Sequence, residues 1–97
     1  MTTIFMFNII EYIIIWDKEK NNILYEKRNI SFEIICNYIK LWHPYKIVEH
    51  HNKKDYAHQY LLIVSYQEYP YVIPFQFITP WTIQLITIFP DRRYKNI

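Results

Sequence analysis

Not one of the 97 residues is glycine. Glycine enters left-handed backbone at no steric cost. A chain without it must place each left-handed helix stop on another residue, asparagine being the next best. The absence also removes the glycine-rich phosphate loops of dinucleotide-binding and P-loop proteins. A single cysteine, Cys36, excludes an intrachain disulfide framework and a cysteine-based zinc finger. It lies in an apolar stretch and reads as a small core residue. With 52% apolar and 21% charged residues the composition is that of a packed domain. The length predicts one domain, residues 1–97. A net charge of +2 neither indicates nor opposes a nucleic-acid partner. Aromatic content is high, at 20% with ten tyrosines.

The chain opens with MTTIFMFNIIEYIIIW. A membrane-spanning helix needs about 20 mostly apolar residues. This run carries Asn8 and Glu11 and stops at Asp17. A signal peptide starts with a basic region, and the first basic residue is Lys18. A cytoplasmic protein with no membrane contact is expected. Isoleucine and phenylalanine favour strands, so residues 12–16 read as a buried strand. Residues 1–10 read as an additional strand or an interaction arm. An exposed apolar strand in residues 1–16 would invite a homodimer through sheet edges.

Asp17 predicts the N-cap of a helix with the sequence KEKNNILYEKR. Lys27 and Arg28 suit its negative end, and Asn29 its left-handed stop. Ser31 caps a second helix with Glu33 in its first turn. Phe32, Ile35 and Ile39 recur at helical spacing and mark its core face. Pro44 closes that segment. Strand patterns follow at residues 46–49, 59–66, 71–78 and 81–89, joined by hairpin-sized connections at 67–70 and 79–80. In the last strand Ile83, Leu85 and Phe89 would share one face, and Gln84, Ile86 and Ile88 the other. Pro74 lacks an N–H and predicts an edge position or a bulge. The order predicts an α+β fold: N-terminal strand or strands, two helices, then an antiparallel sheet of three to four strands.

Three stretches carry a resemblance to a known family. The first is Trp16-Asp17-Lys18-Glu19-Lys20-Asn21 with Lys27-Arg28-Asn29-Ile30-Ser31-Phe32-Glu33. The second is Ile47-Val48-Glu49-His50, followed by Asn52, Tyr56 and Gln59. The third is Val72-Ile73-Pro74-Phe75 with Ile86-Thr87-Ile88-Phe89-Pro90-Asp91-Arg92-Arg93. In this order they resemble the BrnT-like toxins of bacterial type II toxin–antitoxin systems, over about residues 12–95. Arg28 stands where that family usually has histidine, Asn29 where it has glycine, and Asp91 where it has serine. The resemblance implies a RelE-like fold and a metal-independent endoribonuclease. It also implies neutralisation by a small DNA-binding antitoxin of ribbon-helix-helix type.

Metal-free RNA cleavage must deprotonate the 2′-hydroxyl, stabilise the charge on the phosphorus centre and protonate the leaving 5′-oxygen. The first and third steps are acid–base work. The second calls for fixed cations aimed at phosphoryl oxygens, a role suited to the planar fork of arginine. Arg92 and Arg93, read as ending a strand, are the candidate cations; the plain alternative is solvated surface charge. His50, His58 and Tyr56 are the candidate proton carriers, with His51 a weaker one. A solvated polar loop has the same composition. Lys18 and Lys20, in the first turn of a helix, would bind phosphate together with Asn52, Gln59 and Lys95. Tyr66, Tyr69, Tyr71 and Tyr94 could stack on bases, though tyrosine on a strand more often packs its ring on the core. The spacing of His43, His50, His51 and His58 matches no zinc motif, so neither metal nor cofactor is expected. The rival readings are a non-catalytic protein-binding module and a phage- or plasmid-encoded inhibitor of the same fold.

Overall fold

The computed structural model describes residues 4, 5, 8–50 and 52–95. Its elements in chain order are β1 (Ile4–Phe5), β2 (Ile13–Trp16), α1 (Lys18–Arg28) and α2 (Phe32–Lys40). They continue with β3 (Tyr45–Glu49), β4 (Gln59–Tyr66), β5 (Tyr69–Thr79), β6 (Thr82–Leu85) and β7 (Phe89–Pro90). The fold is α+β.

Both helices start and stop where local side-chain chemistry directs. The Asp17 carboxylate accepts the Lys20 N–H at 2.8 Å. Asn29 ends α1 in the left-handed region at φ 56°. The Ser31 hydroxyl accepts the Ile34 N–H at 3.2 Å and opens α2. Phe32, Ile35 and Ile39 of α2 are buried, as their spacing predicts.

The sheet is mixed and larger than expected, with strand order β1-β3-β4-β5-β6-β2 and β7 beside β5. Its centre is the antiparallel β4–β5 hairpin, paired from Gln59↔Gln76 to Tyr66↔Tyr69. The hairpin turn is only two residues, Gln67 and Glu68, both at positive φ. One sheet face packs on the helices through Ile47, Leu62, Val64, Ile73, Phe75, Ile83 and Leu85. The other holds a smaller cluster of Val48, Leu61, Ile63 and Val72 under Phe89 and Tyr94.

Two expectations need correction. The first concerns residues 12–16. Here β2 is an edge strand, parallel to β6 and half-buried on one face only, through Ile14 and Trp16. Its run of isoleucines looks two-sided, yet Ile13 remains 62% exposed.

The second concerns residues 81–89, which break into two strands with an irregular 86–88 segment between them. The cause is Pro74. The Ile86 N–H donates to the Pro74 carbonyl at 2.8 Å, and Pro74 has no N–H to return. The ladder therefore stops at Leu85. Beyond the break Ile88 is buried with Ile83 and Leu85, while Phe89 lies on the opposite face. The bulge that Pro74 predicts is thus placed on its neighbour.

At the amino terminus the structure has an additional strand, one of the two readings of residues 1–10. Ile4 and Phe5 pair with Val48 and Ile47 of the chain's own β3, so β1 and β2 form opposite edges of one sheet. Asn8 caps a short 3-10 turn, Ile9–Glu11, whose Ile9 is buried. The remainder of the expected arm, residues 1–3, 6 and 7, lies outside the described residues. Among the described residues no helix is long and apolar enough to cross a membrane.

Candidate functional site

Arg92 and Arg93 do not end a strand. They belong to a 3-10 turn, Arg92–Tyr94, capped by Asp91, whose carboxylate accepts the Arg93 N–H at 3.1 Å. The same carboxylate takes the Arg93 guanidinium two-pronged, Nε to Oδ1 at 3.0 Å and Nη2 to Oδ2 at 2.6 Å. Hydrogen bonding to Asp91, and then its charge, raise the Arg93 pKa above its ordinary value. Arg93 is therefore a neutralised cation, whereas Arg92 is exposed and has no ion-pair partner among the described residues. The Asp91 N–H donates to the Pro70 carbonyl at 3.0 Å, tying the turn to β5. Tyr94 packs on the smaller cluster, and burial pushes its phenol pKa up. Tyr94 and Lys95 line a cleft with Pro44, Lys46, Ile63 and Pro70.

The loop joining β3 to β4 gathers a different set. The His50 ring stacks on Tyr56 with centroids 4.6 Å apart. Its Nδ1 accepts the Asn52 N–H at 3.1 Å. Asn52 bonds Asp55 through both amide atoms, and Lys53 pairs with Glu49. His58 is exposed. The Gln59 carbonyl accepts the His50 N–H at 3.3 Å, and Gln59 sits opposite Gln76. His51 lies outside the described residues.

The structure thus brings His50, Asn52, Tyr56 and Gln59 together, and separately Arg92, Tyr94 and Lys95 with Lys46. It does not bring the two groups together. The loop leaves the sheet at Gln59, whereas the arginine turn packs near Ile63 and Pro70. Four residues of extended strand between Gln59 and Ile63 span about 13 Å. Lys18 and Lys20 are exposed on α1, which follows Trp16. Trp16 falls on the row Glu49–Tyr60–Phe75–Leu85–Trp16, at the loop's end of the sheet. Three strand spacings, about 14 Å, separate it from β4. Tyr66, Tyr69 and Tyr71 pack edge to face in a chain reaching Tyr38, which stacks on His43 at 3.7 Å. Burial pushes the Cys36 thiol up to about 11.

The sequence places a possible sheet edge within residues 1–16 but reads residues 12–16 as buried, whereas the open edge is β2 itself. The Ile13 N–H donates to the Trp81 carbonyl at 2.9 Å, so Ile13 and Ile15 turn their peptide groups toward β6. By alternation Ile14 and Trp16 turn theirs outward. Ile13 and Ile15 are exposed on the face away from the helices, and Trp81, 74% exposed, meets Ile13 through its backbone carbonyl. Next to Ile15 runs an uncharged row, Gln59–Gln76–Gln84, with the Gln76 amide donating to Gln84 at 3.0 Å. The available signal was an apolar β2 lacking lysine or proline, together with a tryptophan in a turn.

In comparisons with known proteins, no family model, no curated protein and no solved structure matches this chain. The likeness to BrnT-like toxins rests on the short motifs alone.

Proposed function

We propose that the chain is a non-catalytic, cytoplasmic protein-binding module that receives its partner on the open β2 edge. One observation carries this reading: among the described residues the sheet ends in an uncharged strand whose Ile13 and Ile15 are exposed, with exposed Trp81 meeting Ile13 through its backbone carbonyl. Natural sheets blunt such edges with lysine, proline or a bulge, and contiguous exposed apolar surface marks an interaction site. The test places a photo-crosslinking benzoylphenylalanine at Trp81 or, as a control, at exposed Asn22. In the producing cells one discrete protein adduct is expected from position 81 and none from position 22. No adduct at 81 overturns the reading.

A second reading keeps the RelE-like fold and the metal-independent endoribonuclease with its antitoxin. It is favoured by the contact between His50 and Tyr56, two candidate proton carriers held by one loop. Against it stands the distance from that loop to the arginine turn, since acid–base groups must lie within hydrogen-bond reach of the reacting atoms. Incubating RNA with the wild type and with the Arg92→Ala/Arg93→Ala double variant decides it. Cleavage by the wild type alone would establish this reading. Equal cleavage by both, or none by either, removes Arg92 and Arg93 from the mechanism.

A further inference from the structure

We propose that the occupant of the β2 edge is an extended segment of another protein, apolar at alternate positions and basic at both ends, which adds a strand to the sheet. The proposal rests on the protein-binding reading and specifies its partner. The backbone selects the shape. Ile14 and Trp16 each present one outward N–H and one outward C=O, and among the described residues β2 is the last strand on its side of the sheet. An added strand satisfies all four groups at once. The side chains select the alternation, because Ile13 and Ile15 stand exposed on one face beside the uncharged Thr82 and Gln84. Apolar residues of the incoming strand would lie against them.

Charge selects the ends. Glu11 precedes the strand and Asp17 follows it, both exposed. Lys18 turns off the strand axis as the first residue of α1. Two carboxylates therefore bracket five uncharged residues, Tyr12 to Trp16. The same pattern disfavours a second copy of this chain. A closed dimer through this edge has two-fold symmetry and antiparallel strands. Centred on Ile14, it sets Glu11 against Asp17 of the other copy, a like-charge pair. Centred on Ile15, it sets the Asp17 carboxylate against Ile13.

The probe is a seven-residue peptide of alternating valine and threonine with a lysine at each end, added to the full-length protein. Hydrogen exchange followed by NMR reads the Ile14 and Trp16 amides. The peptide is expected to slow exchange at both. An analogue N-methylated at alternate residues, which cannot complete the ladder, leaves them unprotected. A glutamate-ended analogue binds about fivefold more weakly, a gap that 0.5 M salt narrows. Glu11→Gln with Asp17→Asn, which keeps the helix cap, removes the preference for lysine ends. Three results overturn the proposal: no protection from the lysine peptide, equal protection from the glutamate peptide, or concentration-dependent self-protection with a dimer in sedimentation. A cross-link at position 81 without peptide protection overturns the added strand and leaves the binding-module reading standing.

Discussion

The Arg93 guanidinium and the Asp91 carboxylate, two residues apart, hold each other two-pronged, Nη2 lying 2.6 Å from Oδ2. The pairing turns the Arg92-Arg93 doublet into one available cation. Asp91→Ser retains a capping oxygen for the Arg93 N–H and releases the guanidinium. The variant is expected to bind a fluorescein-labelled oligouridylate more tightly than wild type. Its salt dependence should steepen by about 0.7 in log–log slope if the released arginine reaches a phosphate. Anisotropy titrations across NaCl concentrations read both quantities. An unchanged slope would mean that Arg93 faces no nucleic acid in either state.

A second expectation concerns the joint between the helices. Asn21 is buried on α1, where its side-chain oxygen accepts the Phe32 N–H at 2.7 Å and its amide donates to Glu33. It thereby satisfies one of the N–H groups that the start of α2 leaves without a helical partner. Asn21→Ala strands that donor away from water and is expected to cost about 1–3 kcal/mol. Glu33→Gln keeps an acceptor and should cost less. Urea titrations of the three proteins give the ranking, and an Asn21→Ala midpoint equal to wild type would refute the account.

What could be read from the sequence follows from how far each determinant reaches. The helices were legible because Asp17, Asn29 and Ser31 act on backbone groups within four residues. The parallel pairing of Ile13–Trp16 with Thr82–Leu85 depends on contacts across most of the chain. An apolar run without lysine or proline fits a buried strand as well as an open edge, so the local pattern alone does not decide between them. The break after Leu85 was hidden for a related reason, since its cause, Pro74, sits on the neighbouring strand. The arginine turn was more accessible. Asp91 after Pro90 is a cap signal, and reading Arg92 and Arg93 as the end of a strand passed over it. The two halves of the expected ribonuclease site lie on one sheet but at different levels along β4, and spacing in sequence does not encode that level.

The missing glycine has measurable consequences. Positive φ falls on Asn29, Trp42, Gln67 and Glu68. Asparagine tolerates this backbone; a bulky tryptophan at φ 69° does not, and Trp42 is 88% exposed, so burial offsets nothing. Left-handed backbone costs an L-residue about 1–2 kcal/mol. Trp42→Gly, which keeps the N–H bonded to the Ile39 carbonyl at 3.0 Å, is expected to stabilise the fold by about 1 kcal/mol. Gln67→Asn with Glu68→Gly supplies the preferred residues for the two-residue hairpin turn and should add a similar increment. In a chain of this size each corresponds to a melting-temperature rise of about 4–8 °C. A fall in melting temperature for Trp42→Gly would show that the indole makes a compensating contact.

Cys36 supplies the pH expectation. Burial raises its folded pKa to about 11, against an ordinary 9.0; the Lys40 charge works in the opposite direction and Glu33 with burial. The unfolded thiol ionises first as pH rises. Above pH 9 the unfolded state then binds fewer protons than the folded one, and stability falls. The contribution is whole below pH 9 and is lost as pH passes through about 11. The informative quantity is the difference between wild type and Cys36→Ala, which isolates the thiol. That difference should be constant below pH 9 and shift in favour of Cys36→Ala above it. The same burial keeps the thiolate scarce at neutral pH, so disulfide exchange with a chromogenic reagent should be slow in the native protein and fast in urea. Rapid native reaction at pH 7 would place the thiol in open solvent and remove the basis for the pH shift.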